Sequence, residues 1–83
     1  MSVGTLDSAL VHPREVFKPA LLLNAAAIVL VHNHPSGDPT PSAEDRTVTQ
    51  RLLEAGKILG VELTDHLIVA GGTYTSMRML GQL

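Results

Sequence analysis

From residue 13 onward, apolar positions recur every three or four residues. Val16, Ala20 and Leu23 share one face with Phe17 and Leu21 beside them, which predicts a helix over 13–23. His12-Pro13-Arg14-Glu15 opens it, because proline is tolerated at the first helical position and an acidic side chain there suits the positive end of the helix dipole. The period then changes. Residues 27–31, Ala-Ile-Val-Leu-Val, form a continuous β-branched-rich run, the pattern of a central strand covered on both faces. A loop follows over 35–41, where Pro35, Gly37, Pro39 and Pro41 exclude helix and interior strand. Ser42 is placed to cap a second helix, with Asp45 three positions on in a variant of the capping box. Val48, Leu52, Ala55 and Leu59 carry its apolar stripe to a stop at Gly60. Residues 61–63 and 67–70 read as strand segments, Gly71-Gly72 as a tight turn, and 73–76 as a short returning strand. The expected order is α, β, α, β, β, an α/β domain.

Composition narrows what such a domain does. With 83 residues there is room for one domain, since a chain this short buries only roughly 60–65% of the surface it exposes when unfolded. Phe17 and Tyr74 are the only aromatics, so the core is built from Ala, Leu, Ile and Val. There is no Cys, which excludes disulfides and thiolate metal sites and leaves only N and O donors for any metal. A formal charge of -2 and no Lys/Arg cluster remove the electrostatic footprint of nonspecific phosphate binding, so nucleic acid is not the expected partner. The longest apolar stretch, 25–31, is far shorter than the roughly 20 residues of a membrane span, and no basic segment followed by an apolar one opens the chain. The expectation is a soluble, cytoplasmic protein.

The chemistry concentrates after the first strand. Side chains two apart in a strand point to the same face, so His32 and His34, following the run at 27–31, project two imidazoles side by side. The second helix begins at Ser42, and its first turn aims the Asp45 carboxylate back at them. Two neutral imidazoles and a carboxylate make an open three-ligand zinc site with the fourth position left for water. Zinc there would lower the pKa of that water and polarise a carbonyl, the two acts that amide hydrolysis requires.

His32-x-His34, seven residues, Ser42, two residues and Asp45 resemble the H-x-H-x7-S-x2-D signature of JAMM metalloproteases, a family within the JAB/MPN fold. His12-Pro13-Arg14-Glu15, Asn24-Ala25-Ala26-Ala27, His32-Asn33-His34-Pro35-Ser36-Gly37-Asp38-Pro39 and Asp65-His66-Leu67-Ile68-Val69 look like its bacterial RadC branch, over residues 4–74. The resemblance implies a three-layer α-β-α fold of the cytidine deaminase-like type, truncated at the N-terminus. It implies zinc on His32, His34 and Asp45, Ser42 stabilising the developing oxyanion, and a peptide or protein substrate. It also implies a catalytic Glu on a strand upstream of the first helix, which this chain starts too late to contain. That Glu would be the general base. Glu15 lies in the first turn of the first helix and matches another family position. Loss of the upstream strands predicts self-association, as a homodimer or by exchange of elements, through an unpaired edge or uncovered face.

Each residue also has an ordinary structural role to weigh. Asp45 stabilises a helix start through the dipole alone, Ser42 caps, and single histidines more often bond to neighbours than to metals. His12 and His66 lie outside the signature and are expected to be hydrogen-bonding residues, the alternative for Asp65-His66 being a pair that orients a ligand. Asp38 and Glu44 read as solvated charges. The alternative to a hydrolase is a catalytically impaired binding or scaffold module. A zinc nucleobase deaminase would need His-x-Glu and Pro-Cys-x-x-Cys, and Asn33-His34 and the lack of Cys oppose it. RadC-like proteins carry a DNA-repair label, which the acidic balance does not support.

Overall fold

The computed structural model describes residues 2–3 and 12–83. Its elements are β1 (Ser2–Val3), α1 (Pro13–Leu22), β2 (Ala27–Asn33), α2 (Ala43–Leu59), β3 (Glu62–Ala70) and β4 (Thr73–Ser76). They form a four-stranded sheet in the order β1-β2-β3-β4. The first three strands are parallel, and β4 returns antiparallel to β3 through Gly71 and Gly72, both at positive φ. The mixed α/β class is the expected one. β1 adds an element that two residues of sequence could not announce.

Both helices end where their sequences allow. α1 stops in a Schellman turn: Asn24 adopts the left-handed conformation at φ 55, while Asn24 N–H donates to Leu21 O and Ala25 N–H to Ala20 O. The buried face is Val16, Phe17 and Ala20, which corrects the expected one, and the stop before Leu23 takes that residue out of the stripe. Leu21 and Leu23 point outward instead. α2 begins with the full capping box, Ser42 Oγ accepting from Asp45 N–H and Asp45 Oδ2 accepting from Ser42 N–H. It ends at Gly60, with φ 73.

Helical packing follows from topology. Two right-handed crossovers taken in the same direction, β1 to β2 and β2 to β3, place their helices on the same face of the sheet. One core results: Val16, Phe17 and Ala20 of α1 meet Ile28 and Leu30 of β2, Val48 and Leu52 of α2, and Val61 and Leu63. Ala27, Val29 and Val31, on the opposite face of β2, are half-buried. Among the described residues, the helices thus contribute one layer against the sheet.

β3 runs unbroken where two segments were expected. Ile28 pairs with Leu63 and Val29 with Asp65, so Thr64 is an extra residue that shifts the register. Asp65 stays in the strand because its carboxylate is satisfied: Oδ1 accepts from the N–H groups of His66 and Arg78, and Oδ2 from Ser76 Oγ. A bulge inverts the alternation beyond it. Leu63 and His66, three apart, are therefore both buried, and His66 joins the helix-facing side.

The helices touch at a glycine. A Cβ on Gly56 would lie 2.3 Å from Val61 O and 3.5 Å from the Phe17 ring. The backbone oxygen cannot swing away, and Val61 N–H is itself tied to Gly56 O. Gly56→Ala should cost about 1–3 kcal/mol despite the better helix propensity of alanine, read as a lower melting temperature. An unchanged or higher melting temperature would refute the close approach.

Candidate metal centre

Strand and helix meet at one point. β2 carries His32 into the sheet and ends at Asn33. His34 N–H continues the ladder by bonding Val69 O at 2.9 Å, which keeps His34 beside His32. The two imidazoles stand edge to face, with ring centroids 4.7 Å apart. The α2 cap then presents Asp45, wholly buried, between them. His32 Nδ1 lies 2.7 Å from Asp45 Oδ1 and His34 Nε2 lies 3.0 Å from Asp45 Oδ2. The three residues singled out by spacing are therefore brought together.

The loop after β2 orients the outer histidine. His34 Nδ1 donates to Asp38 O at 2.9 Å, which leaves Nε2 free to face Asp45. Asp38 is held in turn by Thr40, whose N–H and hydroxyl both bond its Oδ1. Its carboxylate is exposed, as expected, while its backbone carbonyl does the orienting. His12, also outside the signature, caps α1 by accepting from Arg14 N–H at 3.1 Å. Glu15 is exposed in the first turn of α1.

Electrostatics keep the carboxylate ionised. Burial alone would raise the pKa of Asp45, but the backbone and hydroxyl of Ser42 and the charges of His32 and His34 together hold it below the ordinary aspartate value. Ser42 itself is exposed and spends a lone pair on Asp45 N–H. Its hydroxyl proton is not used by that cap.

One further residue enters the centre. His66 is wholly buried, its ring centroid 5.9 Å from that of His32, and its Nδ1 bonds Thr49 Oγ1 at 2.7 Å. Thr49 sits one helical turn beyond Asp45. Ligating atoms of His32, Asp45 and His66 all lie within 4.8 Å of one another. Each of these residues holds a buried atom without a hydrogen-bond partner: His32 Nδ1, Asp45 Oδ1 and His66 Nε2. The 2.7 Å approach of the first two lacks hydrogen-bond alignment. Unpaired buried polar atoms are costly, and a cation shared by these three residues would relieve that cost. The set therefore fits a metal. Spacing alone could not find His66, because the bulge at Thr64 changes the face it occupies.

Burial pushes the His66 pKa down to about 4, against a partly opposing pull from Asp45. His66 is thus neutral near pH 7. Since the unfolded chain takes up this proton near 6.5 and the folded one only near 4, metal-free protein should lose stability progressively as pH falls across that window. The full effect is up to about 3 kcal/mol. Urea denaturation at pH 7 and pH 5 measures it, and equal midpoints in His66→Phe but not in wild type would assign it to this residue. A wild-type midpoint independent of pH would contradict it.

A helix-capped carboxylate facing a strand-end histidine pair and a buried third imidazole gives this α/β domain a cluster compatible with a metal site. The RadC-like JAB domain model matches residues 1–82, and the chain belongs to that family. It is similar to the UPF0758 protein of Symbiobacterium thermophilum, 59% identical over the whole chain and 36% of that protein. Its identity to the UPF0758 protein of Moorella thermoacetica is 63%, over 94% of the chain and 34% of the relative. For that of Thermotoga maritima it is 57%, over the whole chain and 37% of the relative. The chain spans about a third of the length of these curated relatives. No described helix is long and apolar enough to cross a membrane.

Proposed function

We propose that the chain carries the metal centre of a zinc-dependent metallopeptidase-like hydrolase of the JAMM class, acting on peptide or protein substrates. The observation that carries this reading is the convergence of His32 and His34 on the buried carboxylate of Asp45. With no Cys in the chain, imidazole and carboxylate are the available donors, a set suited to zinc. Bound there, zinc supplies Lewis acidity that polarises a carbonyl and makes water a nucleophile near neutral pH. Asp45 and His34 hold their lone pairs in place through Ser42 and Asp38, and burial of Asp45 and His32 excludes bulk water from one side. Ser42, at the exposed rim, offers its hydroxyl proton to the oxygen of a substrate carbonyl.

The group that would move a proton from water to the leaving nitrogen is not among these residues. β1 holds only Ser2 and Val3, and Glu15 is the first Glu in the chain. On this reading these residues hold the metal, and the proton is carried by a further group. Cleavage of peptide or isopeptide substrates by upstream-extended protein, lost on chelation and regained with zinc, is the expected result. Cleavage that survives complete metal removal would overturn it.

Self-association belongs to the same reading. Leu21, Leu22 and Leu59 line one groove with Phe17 and expose 49%, 77% and 43% of their surface, an apolar area that a second copy could cover. Light scattering should report a mass above that of one chain, and a strict monomer at high concentration would contradict this.

A further inference from the structure

We propose that His66 is a further ligand of the metal, held in ligating orientation by Thr49; the inference rests on the metal-binding reading above and assigns one more donor to that site. Ligating histidines typically have their second ring nitrogen tied by a hydrogen bond, which fixes the tautomer and the ring plane. Two histidines of the centre have this arrangement. His34 has Nδ1 on Asp38 O, and His66 has Nδ1 on Thr49 Oγ1.

The direction of the second bond decides what His66 Nε2 offers. Thr49 Oγ1 lies 2.7 Å from His66 Nδ1 and 3.4 Å from Met77 Sδ, a weak acceptor open to the single hydroxyl proton. In the ligating tautomer Thr49 Oγ1 accepts from His66 Nδ1–H, and the remaining nitrogen, Nε2, carries the lone pair. His66 Nε2 is buried and has no hydrogen-bond partner, and His66 groups with His32 and Asp45, one ligating atom of each lying within 4.8 Å of the others. A lone pair cannot donate to Asp45 Oδ1, so a hydrogen bond between the two does not satisfy both orphans. A shared cation does.

The scaffold is arranged for this purpose at three levels. The bulge at Thr64 turns His66 toward α2, Thr49 follows Asp45 by one helical turn, and Met77, itself buried, closes the far side through its N–H on His66 O. The resulting donor set is His32, His34, Asp45 and His66. Zinc sites sometimes expand to five-coordinate, so a fourth protein donor would leave a place for water.

X-ray absorption on zinc-loaded protein should count three imidazoles in the wild type and two in His66→Phe. Competition with a chelator should show zinc affinity at least 10-fold weaker in His66→Phe, and also weakened in Thr49→Val, which keeps the shape but removes the acceptor. Two imidazoles in the wild type would overturn the proposal and needs no variant to fold. Unchanged affinity in a folded His66→Phe, with binding still lost in His32→Ala, would overturn it while leaving the metal centre intact. Absence of zinc binding by the wild type would overturn both.

Discussion

Replacing Asp45 by alanine is expected to abolish metal binding and to destabilise the domain at the same time, because this carboxylate performs two tasks. Its Oδ2 accepts the Ser42 N–H that closes the capping box, and both its oxygens face histidines. Ser42 Oγ keeps its bond to the residue 45 N–H, and loss of the reciprocal side-chain bond should cost about 0.5–1.5 kcal/mol. Loss of the only carboxylate in the donor set should weaken zinc by more than the ~10–100-fold that an outer partner of a ligand typically costs. Asp45→Asn separates the tasks, since its side-chain oxygen can still accept from Ser42 while the negative charge is gone. Calorimetric zinc titration and thermal melting should therefore diverge: stability nearly recovered in the Asn variant, affinity not. If the Asn variant binds zinc like the wild type, Asp45 is a helix cap and no ligand.

Extension of the chain upstream, to the strand expected to carry the general-base Glu, should raise peptidase activity by about 10²–10⁴-fold over the 83-residue chain, the usual worth of a positioned proton carrier. The metal donors can prepare the carbonyl and the nucleophile, but the departing nitrogen must still receive a proton. Ser42 cannot provide this service, since its hydroxyl is too weak a base near neutral pH. Zinc-loaded proteins of both lengths, compared on peptide and isopeptide substrates, measure the difference. Equal activities, both lost in Asp45→Ala, would leave the metal in place and remove the role given to Glu. An inactive long protein would favour a binding or scaffold module.

Much of this was legible in the chain because local chemistry decided it. Ser42 and Asp45 form the cap that their spacing announces, Gly60 stops the helix as glycine does, and the run from Ala27 is a strand that delivers His32 and His34. What stayed hidden depends on contacts between distant residues. β3 reads as two pieces because Thr64, Asp65 and His66 interrupt the apolar run, and only Ser76 and Arg78, brought alongside by β4 and the turn after it, explain how Asp65 is tolerated there. The bulge that recruits His66 is a matter of register between β2 and β3, invisible to period-2 alternation. Leu23 fits the helical stripe, yet α1 ends before it and turns at Asn24, at positive φ, while Leu21, within the helix, lies off the buried face of Val16, Phe17 and Ala20. Gly56 looks like an unfavourable residue within a helix until Val61 O and Phe17 are seen against it.

Metal content tests the central claim most directly. Protein loaded with zinc, freed of excess by gel filtration and analysed by elemental mass spectrometry should retain about one zinc per chain in the wild type and almost none in the His32→Ala/His34→Ala double variant. Circular dichroism on the same samples would establish that both are folded. Stoichiometric zinc on the folded double variant would contradict the account.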